Sequence, residues 1–91
     1  MITVKIPTIL RTHTGGEAVV EGEGTTLQEL LKDLESRHPG LTRGLRSEDG
    51  GLPRHVNVYL NGEDVRYLGS LETEVKDGDV VSVLPAVAGG D

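Results

Sequence analysis

At 91 residues the chain is one domain with little room for both a core and an enclosed catalytic cavity, so it reads as too small to be an enzyme by itself. Its apolar content is aliphatic, with two Tyr and no Phe or Trp, and the absence of cysteine removes disulfides, thiolate catalysis and cysteine-based metal sites together. A formal net charge of −6 opposes nucleic acid and anionic membrane, which directs the search to a protein partner with a basic surface. No signal-type or bilayer-length apolar run occurs, so a cytoplasmic address is the default expectation.

Ile2, Val4 and Ile6 alternate with Thr3 and Lys5, the period of a strand with one buried face, which Pro7-Thr8-Ile9-Leu10 extends or ends. Thr12 to Gly16 is turn chemistry, and Glu17 to Glu21 reads as a second strand closed by Gly22-Glu23-Gly24, giving an N-terminal hairpin. Gly22-x-Gly24 is no nucleotide loop, because the third glycine is missing and Glu23 would repel a phosphate. Thr26 is an N-cap, and Glu29 completes a capping box. Leu27, Leu30, Leu31 and Leu34 then form one apolar stripe of a helix that His38-Pro39-Gly40 stops.

Leu41 to Pro53 has no sustained period and is expected to be the most mobile stretch, with Leu41 and Leu45 tucking a short turn against the body. Pattern returns at Val56 to Leu60, followed by the hairpin signal Asn61-Gly62 and a short return strand over Val65, Tyr67 and Leu68. Glu72 to Val75 suits a single helical turn, and Lys76 to Asp79 another turn. Val80 to Leu84 is a near-continuous β-branched run, as expected of a central strand beneath the helix. The order strand, strand, helix, strand, strand, strand predicts an α+β fold, a mixed sheet of about five strands covered by one main helix.

His13, His38 and His55 lack metal-ligand spacing, so no metal is expected. The acid pairs Glu48-Asp49, Glu63-Asp64 and Asp77-x-Asp79 sit in turns, where solvation and capping explain them better than acid/base work. What remains is the end of the chain. After Pro85, Ala86-Val87-Ala88-Gly89-Gly90-Asp91 runs through small side chains into two glycines. Such a segment is either a frayed terminus or a backbone slim enough to carry a carboxylate into another protein's active site.

In this order, with this ending, the chain resembles ubiquitin in outline and the ThiS/MoaD sulfur carriers in detail. Within them it is most similar to the CysO-type carriers of cysteine biosynthesis. The resemblance is carried by Ile6-Pro7-Thr8-Ile9-Leu10-Arg11 with Thr14-Gly15-Gly16, by Asn57-Val58-Tyr59 with Asn61-Gly62-Glu63-Asp64-Val65-Arg66, and by Leu84-Pro85-Ala86-Val87-Ala88-Gly89-Gly90. It implies a ubiquitin-like β-grasp domain over residues 1–85 and a flexible Gly-Gly tail over 86–91.

It further implies that an ATP-using, E1-like adenylyltransferase/sulfurtransferase adenylates the Gly90 carboxylate and that a sulfur donor displaces AMP to leave a thiocarboxylate. A PLP-dependent cysteine synthase, supplied with O-phosphoserine, would accept that sulfur as a carrier–cysteine amide, and a zinc metallopeptidase would free the cysteine. The carrier binds no cofactor itself, since ATP and PLP act in its partners. Leu84, Pro85, Ala86, Val87, Ala88 and Gly89 would contact those partners. Leu84, Val87 and the neighbouring open sheet face form the expected docking surface, with acidic residues around it steering a basic partner.

Asp91 departs from the pattern, because it occupies the carboxyl that should be activated. Either a peptidase trims it, or it is a residue foreign to the carrier, or the chain is not an active carrier. Trimming is the favoured reading, since the metallopeptidase of the implied route cuts after this glycine. The competing functions are a carrier for thiamin thiazole or molybdopterin synthesis, a ubiquitin-like protein modifier, and an interaction module whose tail is only a tail.

Overall fold

The computed structural model describes residues 1–41 and 56–85. Strand β1, Ile2–Lys5, sends Ile2 and Val4 to the core, and β2, Val19–Gly22, returns antiparallel to it with Val4 opposite Val20. Helix α1, Leu27–Arg37, follows. Strand β3 is Val56–Leu60, β4 is Glu63–Asp64 and β5 is Val80–Pro85. The sheet runs β2-β1-β5-β3-β4. β5 is therefore central, parallel to β1 and antiparallel to β3, as its β-branched run predicts.

The helix covers one face. Leu27, Leu30, Leu31 and Leu34 are fully buried against Ile2, Val4, Val20, Val58, Val81 and Val83. At about 1.5–3 kcal/mol for each large aliphatic side chain, this stripe is a principal source of stability. Thr26 Oγ1 accepts from Glu29 N–H at 3.2 Å as the capping pattern requires, but the reciprocal bond falls one residue early: Glu29 Oε1 accepts from Thr25 N–H at 2.8 Å and from Thr25 Oγ1 at 2.7 Å. The Thr26 backbone is instead bridged to Glu74, flanked by Leu27 N–H to Thr73 O at 2.8 Å and Val75 N–H to Thr25 O at 3.1 Å. Segment 73–75 thus anchors the start of the helix.

Three stretches differ from expectation. The chain after Pro7 does not extend β1; Thr8–Thr14 is a 3₁₀ helix that buries Leu10 and Thr14 and ends at Gly15 and Gly16, both at positive φ. Its β-branched residues favour a strand locally, but Leu10 N–H closes onto Pro7 O at 2.9 Å, and Thr14 Oγ1 sits between the carbonyls of Arg11 and Glu17 at 3.1 and 2.8 Å. The second strand also begins later than Glu17 and keeps Gly22 as its last residue.

The return strand after Asn61-Gly62 is Glu63–Asp64, and Val65–Tyr67 is a 3₁₀ turn. Asp64 Oδ1 accepts from Arg66 N–H at 2.9 Å, which turns the chain before Val65 and Tyr67 can alternate. The expected helical turn at Glu72–Val75 lies earlier, as a 3₁₀ turn over Ser70–Glu72. Leu41 is buried in a short turn over Pro39–Leu41, whereas Leu45, His55 and the rest of the expected mobile stretch lie outside the described residues.

Candidate functional site

The strand that leads into the tail is held along most of its length. Asn61 N–H donates to Val80 O at 2.8 Å, and with the β3–β5 register this makes Tyr59–Ser82 and Asn57–Leu84 the pairs that exchange both backbone bonds. Val56 and Pro85 are opposite but do not exchange bonds. The backbone groups of residues 81, 83 and 85 point to β1 instead. Pro85 therefore stands where an N–H would reach towards Pro7 O, which Leu10 N–H already occupies at 2.9 Å. The β1 side of the ladder stops there without an orphan donor.

One face of the sheet is uncovered by α1. On it lie Lys5 opposite Ser82, Ser82 opposite Tyr59, and Leu84 opposite Asn57, with Val19 opposite Lys5 and Asp64 opposite Tyr59. Leu84 is 48% exposed and Pro85 is exposed, so both described members of the expected partner-contacting set stand open to solvent at the end of β5. Ala86, Val87, Ala88, Gly89, Gly90 and Asp91 lie outside the described residues.

Charge is unevenly placed about this face. Where β5 finishes stand Lys5, Arg11, whose Nε donates to Ile6 O at 3.1 Å, and Arg66, whose Nη1 donates to Asn57 Oδ1 at 2.7 Å. Where β5 begins stand Glu23, Asp77 and Asp79, with the N-terminal ammonium paired to Asp77. The acidic groups expected around the docking surface therefore concentrate at the far end of β5, roughly 16 Å from Pro85 at ~3.3 Å per residue. Two turn carboxylates have backbone duties, Asp64 on Arg66 N–H and Asp79 on Lys76 N–H at 2.8 Å. Among the described residues no group of three His, Asp or Glu could hold a metal, and no helix is long and apolar enough to cross a membrane.

Arg66 is the residue whose place sequence reasoning missed. It was visible only as a letter in a matching stretch, because nothing local to residue 66 says that it folds back onto residues 56 and 57.

A mixed five-stranded sheet in this order, with one helix across it and the last strand at its centre, is the ubiquitin-like β-grasp. The chain belongs to the ThiS family, which it matches over residues 4–90. It is 52% identical over 91 residues to the sulfur carrier protein CysO of Mycobacterium tuberculosis, covering 98% of each chain. In the crystal structure of the Amycolatopsis orientalis BexX/CysO complex, a chain superposes with a TM-score of 0.90 at 59% identity, over 99% of this chain and 100% of that one. Small archaeal modifier protein 3 of Haloferax volcanii is 44% identical over 68 residues, 75% of this chain and 73% of its own. The protein is thus a homologue of small sulfur carriers and not an enzyme in its own right.

Proposed function

We propose that Gly90, once Asp91 is removed, is the sulfur-bearing residue, and that the carrier serves cysteine biosynthesis by the O-phosphoserine-dependent route. The observation that carries this is the whole-length similarity to the CysO carrier, within a family match that runs through Gly90 itself. In the first step a carboxylate oxygen of Gly90 attacks the α-phosphorus of ATP and pyrophosphate leaves. In the second, a sulfur donor attacks the acyl carbon and AMP leaves with the oxygen it gained, so the carrier ends in a thiocarboxylate. A carboxylate oxygen is a poor leaving group, which is why ATP must activate it, while the resulting sulfur needs no base from the carrier.

Residues 86–91 can span at most about 20 Å at ~3.3–3.6 Å per residue, so Gly90 can enter a partner's cleft while the sheet stays outside. The partners that fit are an E1-like adenylyltransferase, a PLP-dependent cysteine synthase and a zinc metallopeptidase. Leu84, Pro85 and the open face beside them are where each would dock, with Ala86, Val87, Ala88 and Gly89 as the part threaded inside.

With Asp91 attached, the group presented to ATP is a peptide carbonyl, and an extra carboxylate approaches the triphosphate in a site shielded from water. The full chain is therefore expected to resist adenylation and the form ending at Gly90 to undergo it. Intact mass after incubation with an E1-like enzyme, ATP and sulfide checks this, with Gly90→Ala in the shorter form as the control. Sulfur on the full chain with Asp91 retained would overturn the assignment. The similarity to an archaeal modifier supports a second reading, in which the activated Gly90 acylates lysines of other proteins. A ladder of conjugates in the same assay, in place of sulfur on the carrier, would favour it.

A further inference from the structure

Where β3 begins, its outer side lacks a strand. β4 pairs only with Tyr59 and Leu60, so the backbone groups of Val56 that point away from β5 have no ladder partner among the described residues. Arg66 reaches that place. Its Nη2 donates to Val56 O at 3.0 Å and its Nη1 to Asn57 Oδ1 at 2.7 Å, while its own N–H is held by Asp64 Oδ1 at 2.9 Å. The two residues gripped by the guanidinium are those opposite Pro85 and Leu84, the last described residues of the strand that continues to Gly90.

We infer that Arg66 is a positioning residue for sulfur transfer: it fixes the first two residues of β3, through them the last two of β5, and so the point and direction from which the tail is launched. The functional half of this rests on the Gly90 reading; the structural half does not.

The need for such a clamp follows from the ladder. β1 ends at Lys5, and Pro85 has no N–H to offer on that side, so the Asn57–Leu84 exchange is the last rung on β5. Terminal rungs are the first to open. A small change of direction there is multiplied along a tail of up to about 20 Å, and a misplacement of about 1 Å in a reacting group can cost ~100-fold in rate. Arginine suits the task because its planar fork satisfies two acceptors at once, which the single ammonium of lysine does not do with fixed geometry.

The experiment compares wild type, Arg66→Met and Arg66→Lys. Amide exchange is read on the full chain and activation kinetics on the form ending at Gly90. Leu84 N–H is expected to exchange about tenfold faster in both variants, while Val81 N–H, buried between β1 and β3, is unchanged. Activation should lose about tenfold or more in kcat with KM nearly constant, and lysine should not rescue it. Rescue by Arg66→Lys would mean that a partner reads the charge, and a rise in KM with Leu84 unchanged would mean a direct contact. Unaltered exchange at Leu84, or equal loss of protection at Val81, would also overturn the inference. If wild type itself accepts no sulfur, the Gly90 reading fails while the exchange comparison still decides whether Arg66 holds the rung.

Discussion

Gly22 and Gly24, which bracket Glu23 after β2, owe their identity to the helix. A Cβ on Gly24 would lie 2.7 Å from Leu30 N and 2.9 Å from Glu29 Cβ, against the first turn of α1. On Gly22 it would meet Leu30 Cδ1 at 2.9 Å and Leu34 Cδ2 at 3.0 Å, the ends of side chains that can rotate away. Gly24→Ala is therefore expected to destabilise by about 1–3 kcal/mol and Gly22→Ala by less, read from denaturant midpoints at constant m. Equal midpoints for the two would mean that the helix start is not packed as described. Glu29 gives the residue scale a pH dependence. The bond from the Thr25 hydroxyl, then that from the Thr25 N–H, holds its carboxyl below the ordinary carboxylate range. A lowered folded-state pKa contributes stability that is present above the unfolded value and lost as pH falls through the folded one. Glu29→Gln should remove that part of the acid dependence, so the variant and wild type should converge in stability at low pH and separate towards neutrality.

At the scale of elements, the Asn61-Gly62 turn and Pro85 mark the two ends of the β3–β5 pairing. Asn61 at φ 51 and Gly62 at φ 92 form the tight turn that the dipeptide announces, and Gly62→Ala should cost about 1–2 kcal/mol in thermal unfolding for its left-handed backbone. Pro85→Ala should move stability by no more than about 0.5 kcal/mol, since the N–H it adds lies at an exposed strand end where water can take it. A larger loss would show that the proline ring itself packs.

These elements also mark how far the sequence could be read. Every strand and the helix announced themselves by period, because each has one wet face and one dry face. Thr8–Thr14 did not, since its bonds are local and its β-branched letters argue for a strand. Val65–Tyr67 misled because Val65 is fully buried while Tyr67, 88% exposed, turns outward in a 3₁₀ turn and not across a pleat. At the candidate site, Leu84 and Pro85 could be found from alternation and from the missing N–H. The grip of Arg66 could not, because it depends on a register that no local pattern encodes.

For the whole molecule, the separation of charge sets how a partner meets it. Glu23, Asp77 and Asp79 lie roughly 16 Å from Pro85, about two Debye lengths at physiological salt, so they can orient the body but are screened at the point where the tail enters. Glu21→Lys with Glu63→Lys, both exposed, should slow association with a basic partner and flatten its salt dependence while leaving kcat unchanged. Association indifferent to both would confine the acidity to solubility. The central place of β5 has a consequence of another kind, for biosynthesis. Val4 and Val81 are paired although 77 positions separate them, and β1–β2 touches β3–β4 in the sheet only through β5. During translation the two hairpins can form as they leave the ribosome, but they stay unjoined until the last strand has emerged and inserted between them. A nascent chain cut short before Val80 is two loose hairpins exposing Val4 and Val58 to proteases, so the cell's stock of folded carrier is by construction a stock of chains synthesised as far as the strand that bears the tail.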